Sequence, residues 1–336
     1  GNCISPCKND VEILYVAPSA LATASGASPN DPVTFTELQR RLHQLRGNLI
    51  VRFLAGSYDL RRSLTIPKAP KRGYIILENF DGEVVFGGPS RFRSHDAKFA
   101  AVRLEGGDFL LRNISVRNVG ACVSVPKGGE ANNVRIENFK AREVHDCILV
   151  DRYAARKADD WSIRNLDVRG YYRVGIRLSG VDTRNIEIDG IHLDGANPAG
   201  VNACHVGGVQ LYEGVSKVHI RNATIKNNVG RCEKYAQGDG IEADDKSGAP
   251  HHIRIENTTI ENARDGALDL KARSVELSNI RVLKGPKSRY GFRFWNHRGY
   301  SCKDCQIEDI DGAMIFAQDA SVIFENSYFG SKGRLC

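Results

Sequence analysis

The segment YAQGDGIEADDKSG, residues 235–248, gathers Asp239, Glu242, Asp244 and Asp245 beside Lys246. DGALDLKA, residues 265–272, repeats the theme with Asp265, Asp269 and Lys271. Carboxylates at this density repel one another unless a cation or a proton is shared among them. Asp239, Glu242, Asp244, Asp245, Asp265 and Asp269 together form an oxygen-only donor set for a hard ion such as Ca2+, which takes about six to eight oxygens. Zinc or copper would call for His or Cys, and neither stretch contains one. A second chemistry needs no metal: a pair drawn from Glu242, Asp244, Asp245 and Asp269 serves as acid and base on a glycosidic bond.

Alternation decides which of these side chains meet. In DGIEADD, Ile241 and Ala243 suit an interior, so Glu242 and Asp244 project outward. In DGALDLKA, Leu268 and Leu270 point in, and Asp269 and Lys271 point out. The segments VGIRLSG, GGVQLYEG and YGFRFWNH similarly project Arg177, Gln210, Tyr212, Arg293 and Trp295. If these strands are stacked, the acids form a cluster flanked by basic and aromatic residues. Arg177, Gln210, Tyr212, Tyr235, Trp295 and His297 are then the expected substrate contacts, with the aromatic rings as platforms for sugars.

A repeat supplies the stacking. Short apolar strands broken by Asn recur as LLRNISV, VRIENFKA, SIRNLDV, VHIRNATI, IRIENTTI, VELSNIRV and VIFENSYF, with Asn at 113, 138, 165, 222, 257, 279 and 326. NIEIDGIHL is a variant with Asp189 and Gly190 at the turn. Each unit is followed by a further short strand such as ACVSV, DCILV or DGIEA. Three short strands per turn with one-residue corners predict an all-β parallel β-helix of about ten coils, in which the Asn side chains stack and bond to one another. The connections are too short and too β-branched for a doubly wound α/β fold. Before the coils, VEILYVAPSA reads as a strand and loop, and TFTELQRRLHQLRG as an amphipathic helix. Thr34 and Glu37 form its capping box, Phe35, Leu38, Leu42 and Leu45 its apolar face, and Gly47 its stop. The chain is thus expected to be one domain, 1–336. Residues 1–48 supply the strand, loop and capping helix, and 49–336 the coils, starting with NLIVRFLAGSYDL.

The 336 residues carry a net charge of +7 and nine cysteines. Cys3/Cys7, Cys204/Cys232 and Cys302/Cys305 lie at spacings a disulfide can close, which points to a secreted or periplasmic protein whose signal peptide has been removed. No apolar run approaches the length of a membrane span, and zinc-finger and RRM-type motifs are absent, so no nucleic-acid partner is expected. The positive balance reads first as a solvated basic surface and otherwise as attraction to a polyanion, and the protein is expected to act as a monomer.

YVAPSA, the amphipathic helix, IVRFLAGSYDL and the Asn-marked coils together resemble the pectate-lyase-like superfamily, which implies a right-handed helix. Acid clusters with a nearby Lys on this face are similar to those of calcium-dependent β-helix polysaccharide lyases, the pectate lyases of family nine and the chondroitinase and alginate lyases of family six. The resemblance implies Ca2+ bound at Glu242, Asp244, Asp245, Asp265 and Asp269, a base at Lys271 or Lys246, Arg293 or Arg273 assisting, and an anionic, uronate-containing polysaccharide as substrate. The polygalacturonase motifs NTD, GHG and RIK are missing, but a carboxylate-pair hydrolase and a non-catalytic glycan-binding β-helix remain open alternatives.

Overall fold

The computed structural model describes residues 11–69, 72–88, 99–152, 156–196, 202–232, 235, 237–286 and 288–330. Every strand pairing in it is parallel, and each rung lies on the next in register, for example Ile241 on Leu268 and Leu268 on Phe292. One sheet has ten strands, from Leu64–Ile66 through Val174–Ser179, Gly207–Tyr212, Asp239–Asp244, Gly266–Leu270 and Tyr290–Trp295 to Ile315–Gln318. The other is a bent sheet of longer strands such as Ala158–Arg169, Ser216–Lys226 and His251–Glu261.

The bend sits at the Asn column. Asn113, Asn138, Asn165, Asn222, Asn257, Asn279 and Asn326 all have left-handed backbones, with φ between 46 and 57°, a conformation that L residues other than Asn and Asp rarely adopt. At Asn138, Asn165, Asn222, Asn257 and Asn279 the two short strands expected on either side therefore run on as one strand that turns at a single residue, while at Asn113 and Asn326 they stay separate. Side-chain bonds link the corners: Asn138 donates to Asn113 at 3.1 Å, Asn165 to Asn138 at 3.0 Å, and Asn279 to Asn257 at 2.9 Å. In the variant coil Gly190 takes the corner with φ +70°, where a Cβ would lie 2.9 Å from Asn165 Oδ1. Asp189 completes the ladder by accepting from Asn222 at 2.8 Å.

Inward positions fill a single continuous core of Val, Ile, Leu and Phe. The helix, Phe35–Gln44, lays Leu38 and Leu42 into that core, and the Phe35 ring packs against Phe53, Tyr58 and Phe86. Thr34 accepts from the Glu37 N–H at 3.2 Å, but the Glu37 carboxylate turns to Arg40 and Arg41 instead of closing the box. The helix also ends before Gly47, because Leu45 leaves helical backbone (φ −60°, ψ 135°) and packs against the core. Asn48–Phe53 is not the first rung: Val11–Val16 pairs with it in parallel register. Cys204 is bonded to Cys232 and Cys302 to Cys305, while Cys122 and Cys147 are buried thiols. Cys3 and Cys7 lie outside the described residues. Among the described residues no helix is long and apolar enough to cross a membrane.

Candidate functional site

On the ten-stranded sheet the outward positions form columns. One runs Leu149, Arg177, Gln210, Glu242, Asp269, Arg293, Phe316 by register. Beside it runs Asp146, Val174, Gly207, Asp239, Gly266, Tyr290. Ser179, Tyr212 and Asp244 lie on the other side. A parallel sheet on a β-helix therefore does what a compact active site usually needs several loops to do: it brings residues one coil apart into van der Waals range.

Asp239, Asp265 and Asp269 offer carboxylate oxygens that lie within 4.8 Å of one another. Asp239 Oδ1 accepts the Gly266 N–H at 3.0 Å. Arg293 Nη1 reaches Asp265 at 2.6 Å and Asp269 at 3.3 Å, and Trp295 Nε1 donates to Asp269 at 2.6 Å. Burial pushes the Asp239 carboxyl well above the usual range, and the charges of Asp269, Glu242 and Asp265 add to the push against Arg293. Asp269 is raised too, by burial, with Arg293, Lys271 and Trp295 pulling the other way.

Glu242 faces this group from the Gln210 side. Its Oε2 accepts from Gln210 Nε2 at 3.1 Å and from the Tyr212 hydroxyl at 2.9 Å. Gln210 is itself oriented, because its Oε1 accepts two bonds from Arg177, at 2.9 and 2.7 Å. Arg177 is anchored on Asp151 at 3.2 Å, and Arg152 lies over the Tyr212 ring at 4.3 Å. Burial pushes Glu242 up to about 7, helped by Asp269 and Asp244 and opposed by the Tyr212 bond and Arg177. A carboxyl of that kind holds a proton near neutrality and can donate it.

The remaining expected residues are distributed around the cluster. Lys271 Nζ stands 5.9 Å over the Trp295 ring, and the Arg293 guanidinium 4.9 Å from it. Asp244 and Asp245 do not join the acid group: Asp244 Oδ1 turns back to the Lys246 N–H at 2.9 Å, and Asp245 is held by His297 at 2.9 Å and Asn296 at 3.2 Å. That contact also accounts for His297. Lys246 and Tyr235 are exposed, and Arg273 lies past the groove, its N–H bonded to the Pro250 carbonyl.

Sequence reasoning passed over Asp146, which is fully buried in the Asp239 column and held by Arg173 at 2.8 and 2.6 Å and by His145 at 3.1 Å. The signal was present, since DCILV opens with Asp as DGIEA and DGALDL do. Phe316, 4.7 Å from Trp295, was likewise unread.

A family model described as "Right handed beta helix region" matches residues 207–333. Among solved structures the chain is similar to pectate lyase Pel9A, with a TM-score of 0.64 and 12% identity over 92% of this chain and 78% of the other. It is similar to an alginate lyase from Paenibacillus sp. strain FPU-7, with a TM-score of 0.59 and 12% identity over 96% of this chain and 98% of the other. A lacto-N-biosidase from Eubacterium ramulus gives a TM-score of 0.53 and 11% identity over 93% and 68% of the two chains. No curated protein sequence matches the chain. The fold is a right-handed parallel β-helix.

Proposed function

We propose that the protein cleaves an acidic, uronate-containing polysaccharide by calcium-assisted β-elimination in the groove over Asp239, Glu242, Asp265 and Asp269. The observation that carries this reading is the group of three carboxylates within 4.8 Å, compensated at contact by the single guanidinium of Arg293. The donor set is all oxygen, and Asp239 and Asp269 are pushed towards protonation, which is what a hard dication relieves. Asp239, Asp265 and Asp269 would hold it. Bound there, calcium neutralises the uronate carboxylate and so acidifies the proton α to it.

The protein's own groups then divide the work. Arg293 is committed to Asp265 and Asp269 and holds them in place. Lys271, beside Asp269 and over Trp295, is the base that takes the α proton. Glu242, fixed through one oxygen by Gln210 and Tyr212, gives its proton to the departing glycosidic oxygen. Trp295 and Phe316 offer rings against which a sugar can stack.

The raised Glu242 also favours a second reading, hydrolysis, with Glu242 as acid and Asp269 on the adjacent rung as its partner. One assay separates them. Polygalacturonate and alginate are incubated with the protein, with and without chelator, and near-ultraviolet absorbance of unsaturated ends is followed beside reducing ends. Chelator-sensitive absorbance that Lys271→Ala abolishes is the expected result; reducing ends without absorbance, indifferent to chelator, would establish hydrolysis instead. Turnover of neither polymer would sink the uronate assignment.

A further inference from the structure

Along the bent sheet several basic residues pair with acids on neighbouring rungs. Glu78 sits between Arg52 and Arg112 at 3.2 and 2.5 Å, Arg184 meets Asp159 at 3.1 Å, and Arg221 meets Asp189 at 3.0 Å. One corner gathers several cations without such pairs. Ser216, His251 and Arg273 are register partners on successive rungs, and Lys217 and His252 follow them at the corner, each with φ 54°. Among the described residues Lys217, His251, His252 and Arg273 form no ion pair with a carboxylate, and the charges acting on His251 come from His252, Arg273 and Lys217. The two imidazoles meet at 2.7 Å between their Nδ1 atoms. Val275 pairs with Tyr300, so the same offset places the exposed Arg298 one rung beyond Arg273.

Nothing in the backbone calls for cations here. Asn133 and Asn185 occupy this left-handed corner on earlier rungs, and Ser274 on a later one. Stacking cation on cation at the rung spacing of about 4.8 Å is repulsive, and a bound anion removes the repulsion. The corner also adjoins the groove: Arg273 is two residues from Lys271, and the turn after Glu242 and Asp244 leads into His251.

We propose that this corner, built from Lys217, His251, His252, Arg273 and Arg298, is a second binding site for carboxylate or sulfate groups of a polyanionic polysaccharide, outside the catalytic groove. The inference rests on the uronate-polysaccharide reading above. The test is binding of polygalacturonate by calorimetry at low and high salt, in a Glu242→Gln background that separates binding from turnover. Lys217→Asn/Arg273→Gln is compared with its parent, Asn being chosen because it tolerates the left-handed corner. The expected result is roughly ten-fold weaker binding at low salt with a shallower salt dependence, and no binding of neutral dextran by either protein. Equal affinity and equal salt dependence in the two would overturn the site. Tighter binding of a single-stranded DNA oligonucleotide than of polygalacturonate, lost in the double variant, would overturn the choice of polymer. Failure of wild-type turnover overturns the proposed function alone, since the ten-fold loss in binding is read without it.

Discussion

Glu242 illustrates how a few contacts set the chemistry of one group. Two donors share its Oε2, which leaves Oε1 as the oxygen free to carry a proton towards the acid group. Burial raises the carboxyl to about 7, and the Tyr212 bond is the largest influence opposing that rise. Tyr212→Phe removes this opposition while keeping the ring under Arg152, so the proton is held to higher pH. If Glu242 is the acid, activity falls as pH rises through its pKa, and the alkaline limb of the pH–activity profile moves upward in Tyr212→Phe. A limb that stays put, with kcat merely reduced, would mean that Glu242 does not supply the proton. Glu242→Gln keeps the hydrogen-bond geometry but has no proton of suitable acidity, and a loss of about 100-fold or more in kcat is expected from a standard assay of initial rates.

At the scale of elements, the corner residues do the organising. Asn165 combines a φ of 52° with a bond to Asn138. Asn165→Ala loses both advantages and is expected to cost about 2 kcal/mol, whereas Asn165→Gly keeps the backbone freedom and is expected to cost about 1 kcal/mol. Denaturant titration decides the order; Ala costing no more than Gly would show that the left-handed corner carries no weight. These corners were legible in the sequence because a one-residue turn restricts the residue type, and so were the columns, since inward Ile241 and Leu268 oblige Glu242 and Asp269 to face out. What alternation cannot give is where an outward side chain then turns. Asp244 stands in the expected column but bonds to the Lys246 N–H, and Asp245 is taken by His297 from two rungs further on. Asp146 escaped for the same reason. Its partner Arg173 comes from the next coil, and no local pattern announces a pair formed across rungs.

For the molecule as a whole, the acid group lies across an interface between coils: Asp239 comes from one rung, Asp265 and Asp269 from the next. In a stacked array stability is a sum over such interfaces, so whatever charges this one alters the whole chain. The carboxyls of Glu242, Asp239 and Asp269 are all raised, chiefly by burial. A raised acid favours the folded state while it is protonated. The contribution of Glu242 is therefore fully present below its ordinary value of 4.5 and is lost as pH rises through about 7. That loss is on the order of 3 kcal/mol at pH 8. Calcium held there as proposed would act in the opposite sense, binding the deprotonated group and stabilising by mass action, about 2.7 kcal/mol at a hundred-fold excess over Kd. Calorimetric melts in chelator should accordingly show Tm falling from pH 5 to pH 8, and excess calcium should restore several degrees at pH 8 and little at pH 5. Asp239→Asn, which removes one titrating carboxyl from the interface, should flatten the fall in chelator and weaken the calcium response together. A calcium shift that is equal at both pH values, or unchanged in Asp239→Asn, would place any calcium binding elsewhere on the protein and leave the acid group to proton chemistry.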